Sequence, residues 1–404
     1  MSDWPTSTLG EATSIVSGIG FPKSYQGRDH GDVPFLKVRD VSATVLSKQT
    51  KVTLAQHYVS EDECRELRGK PLLVGSVIFA KIGEGLKLNR RAVLAMPALV
   101  DNNVMGVKAG PLLCDSYLYH YLCTIDLGEL SQATTVPSVR KSDVAQIAIP
   151  LPPLPEQQRI VARIEELFTR LDGGLANLQH AKAQIQRYRQ AVLRDAFTGD
   201  PGALSWHTVG DLGAVTGGLT KSSKRNSLAV RVPYLRVANV YANRLELDSI
   251  TEIGVKSGEM GRVALEKGDL LVVEGNGSVS QIGRVAVWNG SIAVCAHQNH
   301  IIKVRFPKPK LGEYVMWWLL SPDGRKAIES VASSTSGLHT LNLSKIKALP
   351  VPMLPDAQRQ GVVSEIERHF SIADAADAAL AQAESRANAL RQSILKEAFA
   401  GRLL

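Results

Sequence analysis

The chain has 404 residues, 44% of them hydrophobic and 21% charged, with a net charge of +8. That length supports two or three domains with cores of their own, and no run approaches the ~20 apolar residues that cross a bilayer, which excludes a helical membrane protein. Met1-Ser2-Asp3-Trp4-Pro5 lacks the features of a secretion signal, and Cys64, Cys114, Cys123 and Cys295 stand apart without a CxxC pair; the expectation is a cytoplasmic protein with reduced thiols, no disulfide framework and no zinc site.

Residues 1–149 read as short β-rich runs separated by glycine and charged turns, with a helix or two: a compact α+β domain. Its landmarks are Val33-Pro34-Phe35-Leu36, the strand-like Val74–Phe79, a cationic glycine-containing stretch from Lys81 to Arg91, a buried helix around Tyr117–Leu122, and Arg140-Lys141. A second segment, 150–201, opens on Pro150-Leu151-Pro152-Pro153-Leu154-Pro155. Proline disfavours helix and central strand, so this lead-in reads as a stiff extended connector rather than a proline-rich recognition ligand. A helix over 156–197 follows, with apolar positions at Ile160, Ile164, Leu167, Leu171, Leu178, Ala181, Ile185, Tyr188 and Val192. Steps of four and three define a heptad seam.

Residues 202–349 then repeat the first domain and 350–404 repeat the helix. Adding 202 to the seam positions, and to Gly174 at the one missing step, lands on Val362, Ile366, His369, Ala373, Ala376, Leu380, Ala383, Ala387, Leu390 and Ile394, with His369 a polar intruder. The second proline lead-in is Pro350-Val351-Pro352-Met353-Leu354-Pro355, and both helices close alike, Asp195-Ala196-Phe197-Thr198-Gly199 against Glu397-Ala398-Phe399-Ala400-Gly401. The domains echo one another more loosely: Trp4-Pro5-Thr6 with Trp206-His207-Thr208, Val33–Leu36 with Val232–Leu235, Val74–Phe79 with Lys267–Val272, and Tyr117–Leu122 with Tyr314–Leu319. Between these anchors the sequences differ widely. Two separate amphipathic helices would satisfy the periodicity, but the shared register and ending favour a paired seam. The short Asp200-Pro201-Gly202-Ala203 connection requires that pair to be antiparallel. The 42 residues of 156–197, at ~1.5 Å each, form a rod of roughly 63 Å, with Leu404 brought back near Met1. The expected architecture is an α+β pseudo-twofold repeat: two similar globular domains joined by an antiparallel two-helix coiled coil.

The run Pro150–Pro155, Glu156-Gln157-Gln158-Arg159, the heptad helix and Asp195–Gly199 together resemble the central conserved region of type I restriction-modification specificity subunits. The second copy resembles the distal conserved region, and the variable segments resemble the family's two target recognition domains. The second copy departs in reading Asp356-Ala357-Gln358-Arg359, in two extra residues before the seam, and in an alanine-rich stretch from Ala373 to Ala389. The resemblance implies a chain with no catalysis of its own that binds double-stranded DNA and reads a split, asymmetric target. It implies two modification (methyltransferase) subunits per chain, which bind S-adenosylmethionine and methylate adenine, and a restriction subunit where one is present. The residues agree: there is no [DN]PP[YFW] motif, and Gly217–Ser222 lacks the spacing of a phosphate loop. His297 and His300 lack a second ligand pair, so loop or core roles are expected of them, no metal, and no cofactor of the chain's own.

Charge supports a polyanionic partner without naming it. Lys+Arg against Asp+Glu is 16 to 15 over residues 1–155 and 18 to 11 over 201–355. Loops carrying Arg, Lys, Asn and Gln supply the chemistry of phosphate and base contacts. In the first domain the candidates are Lys81, Lys87, Asn89, Arg90 and Arg91, with Arg140 and Lys141. In the second they are Lys221, Lys224, Arg225, Asn276, Ser278, Ser280, Gln281, Arg284 and Asn299. Such runs are also what solvated hairpin tips look like. A two-domain scaffold that never touches DNA would explain the repeat but not the basic loops. A fused methyltransferase-nuclease would require the cofactor motif that is missing.

Overall fold

The structure, a computed structural model, describes residues 4–131, 136–198, 204–276, 281–335 and 338–404. Its contacts group into two compact units, one of residues 1–178 with 382–404 and the other of residues 179–381. The division runs through both long helices, so each unit owns one α+β domain, the start or end of the first helix, and the opposite end of the second.

The two domains share one topology. In the first, a five-stranded sheet runs Thr13–Ser17, Val104–Ala109, Val77–Ala80, Arg91–Leu94, Lys51–Val52. The second has four strands in the matching order, Ala214–Gly217, Ile301–Arg305, Leu270–Val273, Val285–Val287. The strands Val77–Ala80 and Leu270–Val273 are buried throughout, as uninterrupted apolar runs covered on both faces should be. A smaller sheet repeats as well. Val33–Leu36 pairs antiparallel with Tyr58–Val59 and parallel with Leu99–Val100; Arg231–Leu235 pairs antiparallel with Thr251–Gly254 and parallel with Ala296–His297. Gly75 and Gly268 open the matching buried strands at φ 85° and 94°, a left-handed turn that glycine takes without a Cβ penalty.

The lead-ins are extended, as expected, but also paired: the first begins at the end of a strand, and most of the second is a strand. Ala148–Pro150 pairs with Thr6–Thr8, and Pro350–Met353 pairs with Ser205–Thr208. Prolines are tolerated because these are two-stranded ribbons with one open side. Pro350 and Pro352 alternate, so their missing N–H groups face away from the partner strand, where their carbonyls accept from Trp318 Nε1 at 2.7 Å and Tyr314 OH at 2.7 Å. In the first domain Tyr117 OH donates to Pro150 O at 3.0 Å and Tyr121 OH to Ala148 O. The pairing also moves the Trp4/Trp206 echo by two residues: Thr6 lies opposite Pro150 and Trp206 opposite Pro352. The equivalent pair is Thr8 and Thr208, each capping a one-turn helix through a capping box with Glu11 or Asp211.

The long helices span Leu154–Ala196 and Asp356–Phe399, and within each unit their segments lie antiparallel. In the first unit Ile160 and Ile164 share a core with Ile394, Leu395 and Ala398, while Arg391 pairs with Asp172. Trp4 and Leu403 pack on that same core, as the expected return of the chain end requires. In the second unit Leu193 and Phe197 share a core with Val363 and Ile366, and Arg189 bridges to Asp374 at 2.5 Å and Asp377 at 2.6 Å.

The expected seam holds at Ile160, Ile164, Ile366 and Ile394, which are buried, and partly at Leu167, Leu171, Leu178, Ile185 and Leu380. It fails at Tyr188 and Leu390, which are exposed, and shifts by one at Val192 and Val362, where Leu193 and Val363 are the more buried. Near the domains each helix must cover a domain core as well as its partner helix, so the apolar stripe widens beyond a heptad seam. The intruder His369 is accommodated by a hydrogen bond with Tyr188.

The sequence departure at the second helix start has a structural meaning. Gln157 is fully buried and ties the first helix to its domain, donating to Pro152 O at 2.8 Å and Leu112 O at 2.9 Å and accepting from the Cys114 amide at 2.8 Å. At the corresponding place Arg359 donates to Leu354 O at 2.6 Å. The longer donor keeps the bond to the lead-in, the counterpart of Gln157 to Pro152.

Candidate nucleic-acid interface

In the first domain the stretch Lys81–Arg91 leaves the buried strand Val77–Ala80, makes one helical turn over Glu84–Lys87, and returns as the strand Arg91–Leu94. Lys81 donates its amide to Asn103 O and accepts from the Val139 amide, at 2.8 and 2.9 Å. Lys81 is thereby set beside the turn that carries Arg140 and Lys141, both exposed at the start of helix Lys141–Ala145. These three cations are brought together. Lys87 is exposed but pairs with Glu84 at 2.7 Å.

Arg91 and Asn89 are corrected as candidates. Arg91 is buried, and its guanidinium donates to Asn89 O and Oδ1, each at 2.9 Å, and to Ile125 O. Asn89 sits at φ 52° and donates to Ile125 O at 3.1 Å. Together they lock the turn to the segment after the Asp115–Leu122 helix, and alternation along the strand is what turns Arg91 inward. Arg90, the neighbour pointing the other way, is half-buried with no hydrogen-bond or ion-pair partner among the described residues.

In the second domain the cationic run 221–226 divides by role. Lys221 and Lys224 are exposed and without an ion pair among the described residues. Arg225 is a structural clamp and is corrected as a DNA candidate: it grips Glu259 through two bonds of 2.8 and 2.9 Å and donates to Thr220 O and Gly254 O, both at 3.0 Å. The guanidinium's bonds to the carboxylate, and after them the Lys256 amide's, hold the Glu259 carboxyl down at about 2. The first domain makes the same closure with other residues, Tyr25 OH donating to Glu66 at 2.8 Å. No local signal in the sequence distinguishes Arg225 from Lys224, because the partner lies 34 residues away.

Gln281 is exposed, while Ser278, Ser280 and the side chain of Asn276 lie outside the described residues. Asn299 is half-buried, its amide donating to Leu219 O at 3.0 Å and its side chain 3.4 Å from His300 Nε2. Arg284 is half-buried with its guanidinium 5.0 Å from the Tyr241 ring centre; Arg244 approaches the same ring at 4.6 Å. Sequence reasoning passed over Tyr241 and Arg244, although a Tyr-x-x-Arg hairpin beside a candidate loop was a usable cue.

The histidine pair resolves into two ordinary roles. His297 is fully buried, with Nδ1 2.8 Å from Ile301 O. His300 is exposed and meets Glu274 at 2.8 Å. Among the described residues no group of three or more His, Cys, Asp or Glu side chains is arranged to hold a metal ion, and no helix is long and apolar enough to cross a membrane.

The chain is thus two α+β domains of one topology, each ending in a proline-bearing strand that runs into a long helix, with exposed cations on their loops. Residues 1–179 match the family described as type I restriction modification DNA specificity domain. Over 99% of its length the chain is 29% identical to the type I restriction enzyme EcoKI specificity subunit of Escherichia coli (strain K12), spanning 89% of that protein. It is 23% identical, with the same two coverages, to the StySPI specificity subunit of Salmonella potsdam. Its fold is similar to that of a chain solved in work on complex assembly and conformational transition of the type I R-M system, with a TM-score of 0.73 at 20% identity, covering 99% of this chain and 98% of that one. It is also similar to the HsdS subunit from Thermoanaerobacter tengcongensis, with a TM-score of 0.55 at 19% identity over 99% and 97% of the two chains. The family match thus covers the first domain and the start of the long helix, and over its whole length the chain is similar to proteins described as type I restriction enzyme specificity subunits.

Proposed function

We propose that each domain reads one half of a split, asymmetric DNA target, and that partner subunits carry out the chemistry. The observation that carries this reading is a shared frame with opposite surface charge. Lys81 and Glu274 make equivalent backbone bonds, their amides donating to Asn103 O and His300 O and their carbonyls accepting from Val139 and Leu341. One domain therefore presents a lysine where the other presents a glutamate closed by a histidine. Two domains built alike but charged differently at the same place suit two different half-sites.

In this reading the chain is not an enzyme. Two modification subunits, one for each copy of the frame, bind S-adenosylmethionine and methylate adenine, and a restriction subunit, where present, cuts. The complex works in the cytoplasm, where its DNA lies. Purified alone, the chain is expected to transfer no methyl group from S-adenosylmethionine to target DNA, and to support transfer once a modification subunit is added. Robust transfer by the isolated chain would overturn the division of labour.

The binding surface is tested by K221A/K224A, which leaves the Arg225 clamp intact. Each lost phosphate contact removes ~0.9 from the slope of log affinity against log salt, so the double variant should lose up to ~1.8. Fluorescence anisotropy across a salt series, with the modification subunit present, reads this directly. Affinity should fall on all sequences while the half-site of the first domain is unchanged. A slope equal to the wild type's shows that this loop does not touch DNA.

A further inference from the structure

Arg90 and Arg284 occupy the same position in the two domains. Phe79 lies opposite Arg91 in one buried hairpin and Val272 opposite Val285 in the other. The hairpins close identically, with the Gly75 amide donating to Leu94 O at 2.8 Å and the Gly268 amide to Trp288 O at 2.9 Å. Arg90 and Arg284 are thus each the residue just before the returning strand. Each follows a left-handed residue, Asn89 at φ 52° and Gly283 at φ 63°. Around them the sequences diverge, and one position on, a buried arginine in one domain is replaced by a valine in the other.

Both guanidinium groups have donors to spare, and that of Arg284 is also held in place. Among the described residues Arg284 lies over Tyr241 and makes one bond, from Nη2 to Val237 O at 3.3 Å; its Nε is buried, so the Nη1/Nη2 end of the group is what it can offer. A guanidinium carries five N–H donors in a rigid planar fork. Stacking on an aromatic face fixes the plane of that fork without consuming its edge. Arg90 has no partner among the described residues. Both arginines end the loop between the buried strand and the strand that returns antiparallel beside it, and in both domains that loop carries the candidate DNA contacts.

We propose that Arg90 and Arg284 are the guanine-reading residues of their domains, each donating both arms of the fork to O6 and N7 of one guanine in the major groove. The proposal rests on the reading of the chain as a two-domain DNA reader. It requires each half-site to contain a G·C pair, one dependent on Arg90 and the other on Arg284.

The test uses the chain assembled with its modification subunit, binding-site selection from a randomised duplex pool, and anisotropy on the selected site. The wild type should select a split site with a guanine in each half. R284K keeps the charge and loses the planar fork. It should bind non-specific DNA with the wild-type salt slope while losing about tenfold to a hundredfold of discrimination at one guanine, in the half-site of the second domain only. R90K should do the same in the other half-site, and R90A, at a half-buried position outside the core, supplies a variant with little folding cost. Half-sites lacking a G·C pair, or unchanged selection by both lysine variants, overturn the proposal. So does a uniform loss of affinity on every sequence with the salt slope lowered by ~0.9, which marks a phosphate contact. Failure of the wild type to select any sequence would instead remove the underlying reading, so the two failures are separable.

Discussion

Acidification from pH 7 to 4.5 is expected to destabilise the second unit by roughly 2–3 kcal/mol through His297 alone. This histidine is fully buried on the strand Ala296–His297, and its Nε2 has no partner among the described residues. Burial pushes its pKa down to about 4, against the lesser opposing effect of the bond to Ile301 O, with Lys303 depressing it further. An unfolded chain would titrate near 6.5. Between those values the unfolded state binds the proton and the folded state does not, so the contribution is complete above about 6.5 and is lost as the pH falls toward about 4. Four of the five tryptophans, Trp206, Trp288, Trp317 and Trp318, lie in this unit, so urea unfolding followed by tryptophan fluorescence reports it. H297N retains a donor for Ile301 O but does not titrate; its stability at pH 7 should drop, and its loss on acidification should be smaller than the wild type's by roughly 2–3 kcal/mol. Equal acid losses in the two proteins would show that His297 is not buried and neutral. His120 makes the corresponding contribution in the first unit, lowered to about 4 by burial and then by Arg391.

G218A is expected to lower the melting temperature of the second unit by about 6–12 °C, a destabilisation on the order of 3 kcal/mol. A Cβ at Gly218 would stand 2.1 Å from His297 O and 2.5 Å from Gln298 O. Both are backbone atoms of a paired segment and cannot step aside. The preceding Gly217 has nothing within 4 Å of such a Cβ, so G217A should cost under about 1 kcal/mol and serves as the control. Thermal unfolding by circular dichroism compares the two; a G218A melt matching that of G217A sinks the expectation. Gly18 makes the same approach in the first domain, 1.9 Å from Asp101 O and 2.4 Å from Val100 O. In each domain this contact lets the first sheet strand pass directly under the small parallel pair, and in the second it delivers the chain to Lys221.

Much of this architecture was legible because it is periodic or repeated. Heptad spacing announced both long helices, and the repeat announced two like domains. Matches resting on backbone requirements held, as with Gly75 and Gly268. The match resting on a conspicuous side chain, Trp4 with Trp206, slipped by two, since a half-exposed tryptophan does not set strand register. The binding surface was less legible. Lys224 and Arg225 look alike in sequence, and only a carboxylate brought in by tertiary folding makes one a clamp and leaves the other at the surface. Arg90 and Arg91 likewise looked equivalent until strand alternation sent one inward. Local composition marks where cations concentrate; long-range pairing decides which of them remain available.

The ribbon that joins Thr6–Thr8 to Ala148–Pro150, and its counterpart between Ser205–Thr208 and Pro350–Met353, means that the chain enters and leaves each domain at one place. Everything between those strands is a closed excursion whose ends are fixed to each other, and to the following helix, by backbone bonds and an aromatic bracket. The contents of one excursion can therefore be rewritten, or exchanged whole for another of different length, without disturbing the doorway or the neighbouring domain. Each excursion is thus a loop of chain clamped shut at its own doorway, so its contents can vary while the two strands that close it stay joined.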